Sequence, residues 1–285
     1  MSESASRVRA ARTFLFVPGD RPERFAKAVA SGADLVVLDL EDAVTPQAKD
    51  GARRAVGEFL ESGTVAAVRI NAVDTPWHAQ DVAMLAGRDR IVMLPKAERV
   101  DRVAAVVAEL TPGSAVVALV ETARGVLHAA EVAEVAGLQR LALGTMDLGA
   151  ELGVEPDDRE AMKTARRLLV LASASAGLAP PVDGVTAAVD DSGVLADDVR
   201  HARRLGLTGK LCIHPRQVPL VHETLQPTQD EIRWATAVLV AADAAAGGPV
   251  LLDGRMVDKP VVDRARRVVE SVDPDRITEE GEADG

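Results

Sequence analysis

The stretch Ala115-Val-Val-Ala-Leu-Val-Glu121-Thr-Ala-Arg124-Gly125 decides how the rest of the chain is read. Its six consecutive apolar residues are too few for most helices and suit a strand buried on both faces, which places Glu121 where the strand stops. Further on, Arg140-Leu-Ala-Leu-Gly144-Thr-Met-Asp147-Leu repeats the pattern, a second buried strand ending in a turn that carries an acid. Two carboxylates at the ends of adjacent parallel strands are a candidate site for a hard cation such as Mg2+, which takes one or two carboxylates and keeps positions for substrate and water. The plainer reading of either acid is a helix N-cap or an ion pair.

Working outward, short apolar runs alternate with longer helical stretches from Thr13 onward, the signature of βα units and a parallel sheet. Eight such runs are present. The first spans Thr13 to Val17, and the second, Asp34 to Asp42, closes on the acids Asp39, Glu41 and Asp42. The third, Val65 to Asn71, carries Arg69; the fourth, Ile91 to Glu98, ends in Lys96 and Glu98. The fifth and sixth are the strands of Glu121 and Asp147, the sixth followed by a longer loop. A weak seventh lies at Pro181 to Val185, and the eighth runs from Lys210 to His214-Pro215. Helices are expected at about 22–30, 100–110, 160–176 and 196–205. Eight repeats in about 210 residues fit an α/β fold of the (β/α)8 TIM-barrel kind, with its active site at the carboxyl ends of the strands. A doubly wound open sheet is the alternative, but no Gly-x-Gly-x-x-Gly follows a strand and no Walker loop occurs.

The barrel is expected over residues 1–225 and a C-terminal helical extension over 226–272. That extension reads as a helix at 229–246, a break at Gly247-Gly248-Pro249, the segment Leu252 to Pro260, and a final helix. Residues 273–285 are rich in acids and poor in apolar groups, the composition of a disordered tail.

Composition excludes several roles. A net charge of −11, no dense Lys/Arg stretch, 2% aromatics and no Tyr leave no basis for nucleic-acid binding. Nowhere do 18 uninterrupted apolar residues occur, so no membrane span is expected, and the N-terminus does not read as a signal peptide. The single Cys212, flanked by Leu211 and Ile213, allows no internal disulfide and reads as an inert buried thiol. A cytoplasmic location is the expectation that follows.

Eight motifs in order resemble the superfamily of malyl-CoA lyases, citramalyl-CoA lyases and the citrate lyase beta subunit. They are Phe-Val-Pro-Gly-Asp20-Arg-Pro, Leu-Asp39-Leu-Glu41-Asp42-Ala-Val, Arg69-Ile-Asn71, Leu-Pro95-Lys96-Ala-Glu98, Val-Glu121-Thr-Ala, Gly144-x-x-Asp147-Leu, Ile-His214-Pro and Met256-Val-Asp258-x-Pro260. The resemblance implies a Mg2+-dependent lyase that cleaves or forms a carbon–carbon bond in a 3-hydroxyacyl-CoA thioester, yielding acetyl-CoA and a 2-keto acid. It also implies a homo-oligomer, trimer or hexamer, in which the C-terminal segment packs on a barrel mouth, its own or a neighbour's.

Carried over residue by residue, Glu121 and Asp147 match the metal carboxylates, and Glu121 also faces substrate. Arg69 matches the arginine that grips substrate oxygens, a task suited to its planar fork. Glu41, Asp42 and Lys96 stand behind them, and Lys96 and Glu98 either pair with each other or line the pocket. Asp258 matches the general acid/base, with a helix N-cap as its other reading. His214 reads as a structural hydrogen-bonding group, and Arg12, Arg21 and Lys27 are candidates for CoA contacts. One departure is Met146, where many members carry Glu. Three further functions stay open: a hydroxyacyl-CoA thioester hydrolase, a citrate lyase beta subunit working on an acyl-carrier-protein thioester, and a non-catalytic thioester-binding barrel.

Overall fold

The computed structural model describes residues 1–245 and 248–272. The chain divides into two compact units, one of residues Met1–Leu225 and one beginning at Gln226.

In the first unit eight strands close into a parallel barrel in chain order: β1 Thr13–Pro18, β2 Leu35–Asp39, β3 Ala67–Arg69, β4 Ile91–Leu94, β5 Ala115–Val120, β6 Leu138–Leu143, β7 Ala179–Asp183 and β8 Gly209–Cys212. Closure comes from the pairing of β1 with β8, Phe14 opposite Leu211. The continuous apolar runs are explained by two cores with alternating membership. Leu35 and Val37 of β2 point into the lumen with Phe14, Val117 and Leu211, whereas Val36 and Leu38 belong to the layer between strands and helices. A strand buried on both faces cannot show polar alternation, which is why these segments read as solid apolar runs.

The structure departs from the sequence expectations in four places. The third strand is shorter than Val65 to Asn71, because only Ala67–Arg69 pairs on both sides. A helix, Glu3–Ala10, precedes β1, with Ser2 capping it by accepting from the Ala5 N–H. Its Ala5 and Val8, followed by Ala11, join the lumen core and close the amino-terminal end of the barrel. After β6 the chain does not loop: Gly144 leads straight into the helix Thr145–Leu152, which Gly153 terminates at a left-handed φ of 70°. The stretch around 250–257, to which the sequence reading assigns no element, forms a hairpin, described below.

Arg140 locks the closed end of the barrel. It is fully buried, donates to the carbonyls of Val8, Ala11 and Pro180 and to Thr208 Oγ1, and lies 5.6 Å over the Phe14 ring. Four acceptors from three segments explain how a guanidinium is tolerated there.

The second unit is a helix pair with a hairpin. Thr228 and Glu231 form a capping box at the start of the helix Gln229–Ala244. Strands β9 Val250–Leu252 and β10 Arg255–Val257 pair antiparallel through Asp253-Gly254, both at positive φ, as a two-residue turn requires. The helix Lys259–Glu270 completes a small core around Ala235, Val238, Val257 and Ala265, with Arg264 stacked 4.6 Å from the Trp234 ring. The expected tail at 273–285 lies outside the described residues. Among the described residues no helix is long and apolar enough to cross a membrane.

Candidate active site

The inward-facing positions of each strand, followed one step further, leave the apolar core and reach the carboxyl-end mouth. On β2 the series Leu35, Val37 continues to Asp39; on β3 Ala67 continues to Arg69; on β5 Val117 and Leu119 continue to Glu121. These side chains line a cavity of about 420 Å3 together with Phe16, Asp42, Gly144 to Asp147, Val185, Leu211 and Ile213.

Arg69 is the centre of the ionic network. Its Nε and Nη2 donate to the two oxygens of Asp39 at 2.8 and 2.6 Å, and Nη1 lies 3.1 Å from Glu41 and 3.9 Å from Asp42. The guanidinium also sits 5.0 Å over the Phe16 ring. Burial alone would lower its pKa, but the hydrogen bonds and charge of Asp39, with the charges of Glu41 and Glu121, hold it above the ordinary arginine value. The fork expected to grip substrate oxygens is filled by Asp39 in the structure, so Nη1 is the edge turned away from that bidentate pair. Asp39 was not among the expected site residues. It also accepts from the N–H groups of Glu41 and Ala43 at 2.8 and 3.2 Å, so it shapes the acidic loop while orienting Arg69. Its place in the inward series of β2 is the signal that could have found it.

Glu41 is buried, and neither carboxylate oxygen accepts a well-formed hydrogen bond among the described residues. Burial pushes its pKa up to about 7, with Asp42 and Asp39 adding to the rise and Arg69 and Lys96 opposing it. Lys96 Nζ stands 3.5 Å from Glu41, and its backbone, at a left-handed φ of 49°, donates its N–H to Glu121 Oε1 at 2.9 Å. For Lys96 burial works downward, but the charges of Glu41, Asp42, Glu121 and Asp147 outweigh it and the pKa is raised. Lys96 and Glu98 do not pair with each other; Glu98 accepts from Thr122 Oγ1 at 3.0 Å.

Glu121 is buried and its pKa is pushed up to about 8, first by burial and then by the charge of Glu41, against the Lys96 N–H and Arg69; Asp147 adds to the rise. Its close neighbour is Gly144, where a Cβ would fall 2.5 Å from Glu121 Cβ and 2.7 Å from Oε2. Asp147 occupies the first turn of the helix Thr145–Leu152, where the helix dipole favours its charge. Glu121 and Asp147 thus face one cavity from the ends of adjacent strands. Among the described residues no group of three or more His, Cys, Asp or Glu side chains is arranged to hold a metal ion by itself. A pair of hard oxygen donors, one of them held near neutrality by burial, fits a cation such as Mg2+ that takes its remaining ligands from water and substrate.

Beneath the acidic loop lies a support absent from the sequence reading. Lys49 is buried and donates to the carbonyls of Leu40 and Glu41 and to Asn71 Oδ1, at 2.7, 2.8 and 2.7 Å. Asn71 is held by Asp81, which accepts from its side-chain amide at 2.6 Å and its backbone N–H at 2.9 Å, and Asp81 in turn accepts from Arg53. This chain ties the loop after β2 to the loop after β3, fixing Glu41 and Arg69 relative to each other.

The remaining expected residues fall elsewhere. Asp258 is in the second unit, where it caps the helix Lys259–Glu270 by accepting from Val261 N–H. His214 Nδ1 accepts from the Arg216 N–H, a turn contact. Cys212 is buried, and burial drives its thiol up to about 12. Arg12 immediately precedes β1, at the end of the barrel opposite the cavity. Arg21 and Lys27 are exposed beyond the carboxyl end of β1.

A closed (β/α)8 barrel with an ionic cluster and two further carboxylates facing one cavity at the carboxyl ends of its strands has the architecture of a barrel enzyme. The particular family is shown by comparison: residues 12–215 match the HpcH/HpaI aldolase/citrate lyase model, and the chain belongs to that family. A citrate lyase subunit beta-like protein of Mycobacterium tuberculosis is 39% identical over 263 residues, covering 90% of this chain and 93% of the relative. A (3S)-malyl-CoA thioesterase of Cereibacter sphaeroides is 35% identical over 267 residues, with the same coverages of 90% and 93%. The crystal structure of the CitE protein of M. tuberculosis with magnesium, acetoacetate and coenzyme A superposes with a TM-score of 0.81 at 36% identity, covering 92% of this chain and 98% of that one. The same protein has been crystallised with magnesium and pyruvate (TM-score 0.72, 36% identity, 92% and 99% coverage). A further M. tuberculosis structure, the citrate lyase beta subunit, holds oxaloacetate and magnesium (TM-score 0.67, 40% identity, 78% and 100% coverage).

Proposed function

We propose that this protein is a Mg2+-dependent carbon–carbon lyase acting on a 3-hydroxyacyl-CoA thioester of the malyl-CoA or citramalyl-CoA type. The observation that carries the reading is the placement of Glu121 and Asp147 on the same cavity as the Asp39-oriented Arg69.

In the cleavage direction the 3-hydroxyl loses its proton, the C2–C3 bond breaks to leave a 2-keto acid, and the electron pair passes into the thioester enolate. A proton delivered to C2 completes acetyl-CoA. Glu121 and Asp147 would hold Mg2+, which when bound supplies positive charge at the keto-acid oxygens. Arg69, its orientation fixed by Asp39, offers Nη1 to substrate oxygen, where a preorganised donor in a partly dry site is most effective. Lys49 and Asp39 hold Glu41 and Arg69 in register, so little reorganisation is needed as charge moves. Asp258 is the proposed proton carrier, by the family resemblance, in a homo-oligomer of trimer or hexamer type.

The test is a turnover screen of malyl-CoA and citramalyl-CoA with Mg2+ and with chelator, analysing products. Acetyl-CoA with glyoxylate or pyruvate supports the lyase. Free CoA with the intact hydroxy acid supports a hydrolase, a second reading favoured by the likeness to the (3S)-malyl-CoA thioesterase over 90% of this chain. Mixing Asp258→Ala with Glu121→Gln chains under subunit exchange should restore part of the activity if Asp258 serves a neighbour's cavity. Undiminished turnover by Asp258→Ala alone removes it from the chemistry. The M. tuberculosis structures hold pyruvate in one case and oxaloacetate in another, so likeness does not choose the keto acid.

A further inference from the structure

The two arcs of the cavity differ in chemistry. The arc from β2 to β6 carries every charged lining group: Asp39, Asp42, Arg69, Glu121 and Asp147. The arc from β7 through β8 to β1 presents Val185, Leu211, Ile213 and Phe16. Ile213 is 42% exposed, and Met146, on the rim where β6 gives way to its helix, is 48% exposed. Neither packs into the core clusters of the barrel, so the fold does not account for them.

Cations are scarce in the same space. Among the described residues lining the cavity, Arg69 is the only cation and faces four carboxylates. It is already bonded to Asp39 through two nitrogens and stands 3.1 Å from Glu41. Lys96, outside the lining, is drawn to Glu41. A substrate carboxylate next to the Mg2+ position could be compensated there, but a second one, directed onto the apolar arc, would be desolvated without a partner.

We infer that the carbon bearing the hydroxyl also carries a small alkyl group seated on the β7–β8–β1 arc, so that the keto acid released is a monocarboxylic 2-oxoalkanoate and not a dicarboxylic one. This rests on the lyase reading for the reaction but on the cavity alone for the side group. An apolar wall favours each added carbon until the space is filled, and it penalises hydrogen and carboxymethyl in different ways. Hydrogen leaves the wall wet, whereas carboxymethyl places a charge against it.

The experiment runs the reaction in the condensation direction, with the full chain, Mg2+ and acetyl-CoA, and measures the thioester formed from glyoxylate, pyruvate, 2-oxobutanoate and oxaloacetate. Pyruvate and 2-oxobutanoate should exceed glyoxylate in kcat/KM by roughly 3- to 10-fold per carbon. Oxaloacetate should trail pyruvate by about 100-fold or more. Ile213→Arg, a change at an exposed rim position, should narrow or reverse the pyruvate-to-oxaloacetate ratio. Binding of the same four acids to the Mg2+-loaded protein, followed by calorimetry, provides a readout independent of turnover. If no thioester forms but binding keeps the alkyl order, the lyase reading fails and the side-group inference stands. Oxaloacetate bound and turned over as well as pyruvate would overturn it. So would a flat response across the alkyl series, which would give the apolar arc to the pantetheine arm, and so would failure of all four acids to bind.

Discussion

Gly144→Ala probes the site through a single carbon. Gly144 has φ −94° and ψ 90°, a conformation open to alanine, so the backbone does not oppose the change. The added Cβ, however, would lie 2.5 Å from Glu121 Cβ and 2.7 Å from Oε2. Carbon atoms pack at about 3.5–4.0 Å, so the two strand ends must separate by roughly 1 Å or Glu121 must rotate away. Either movement strains the bond from Lys96 N–H to Glu121 Oε1, now 2.9 Å, and displaces one of the two carboxylates proposed for Mg2+. Overpacking of this kind costs about 1–3 kcal/mol, which a domain of this size survives. A misplacement of about 1 Å at a catalytic group costs on the order of 10²-fold in rate. Gly144→Ala should therefore remain folded by circular dichroism, lose Mg2+ affinity in a calorimetric titration, and lose about two orders of magnitude in turnover. A folded variant with unaltered Mg2+ affinity and rate would show that Glu121 is not confined by β6, or is not a ligand.

Four further outcomes are expected. Burial places the folded-state pKa of Glu121 at about 8 and of Glu41 at about 7, both above the ordinary 4.5. The folded, metal-free protein therefore binds more protons than the unfolded chain between those values; their stabilising effect is complete below about pH 4.5 and is lost as pH rises through 7 to 8, visible as a falling melting temperature. Mg2+ competes with the proton on Glu121, so its affinity should rise by about tenfold per pH unit up to about pH 8, and an affinity independent of pH would exclude Glu121 as a ligand. Lys49→Met leaves the Leu40 and Glu41 carbonyls and Asn71 Oδ1 without their donor and should cost roughly 3–5 kcal/mol in urea unfolding; an unchanged midpoint would refute the clamp. Arg140→Met releases the carbonyls of Val8 and Ala11 at the opposite end of the barrel and should lower stability by about 2–4 kcal/mol, while the folded enzyme keeps kcat within about twofold. A large kcat loss there would mean that the two ends of the barrel are coupled.

The chain by itself determined the barrel and its working end. Short apolar runs such as Ala115 to Val120, repeated between helical stretches, admit few arrangements other than a parallel sheet covered on both faces. Strand-end addresses are local properties, so Arg69, Glu121 and Asp147 could be placed at one mouth from their distance to the preceding run. The partner of each group was decided only in three dimensions. Asp39 holds Arg69 across 30 positions and Lys49 holds Asn71 across 22, contacts created by the closure of neighbouring strands and invisible to any periodicity. The helix Glu3–Ala10 showed the same limit: its few apolar residues look unremarkable until the lumen they fill exists. Periodicity reports which face of a segment is buried, whereas pairing depends on which strands lie side by side, and that follows from closing the barrel.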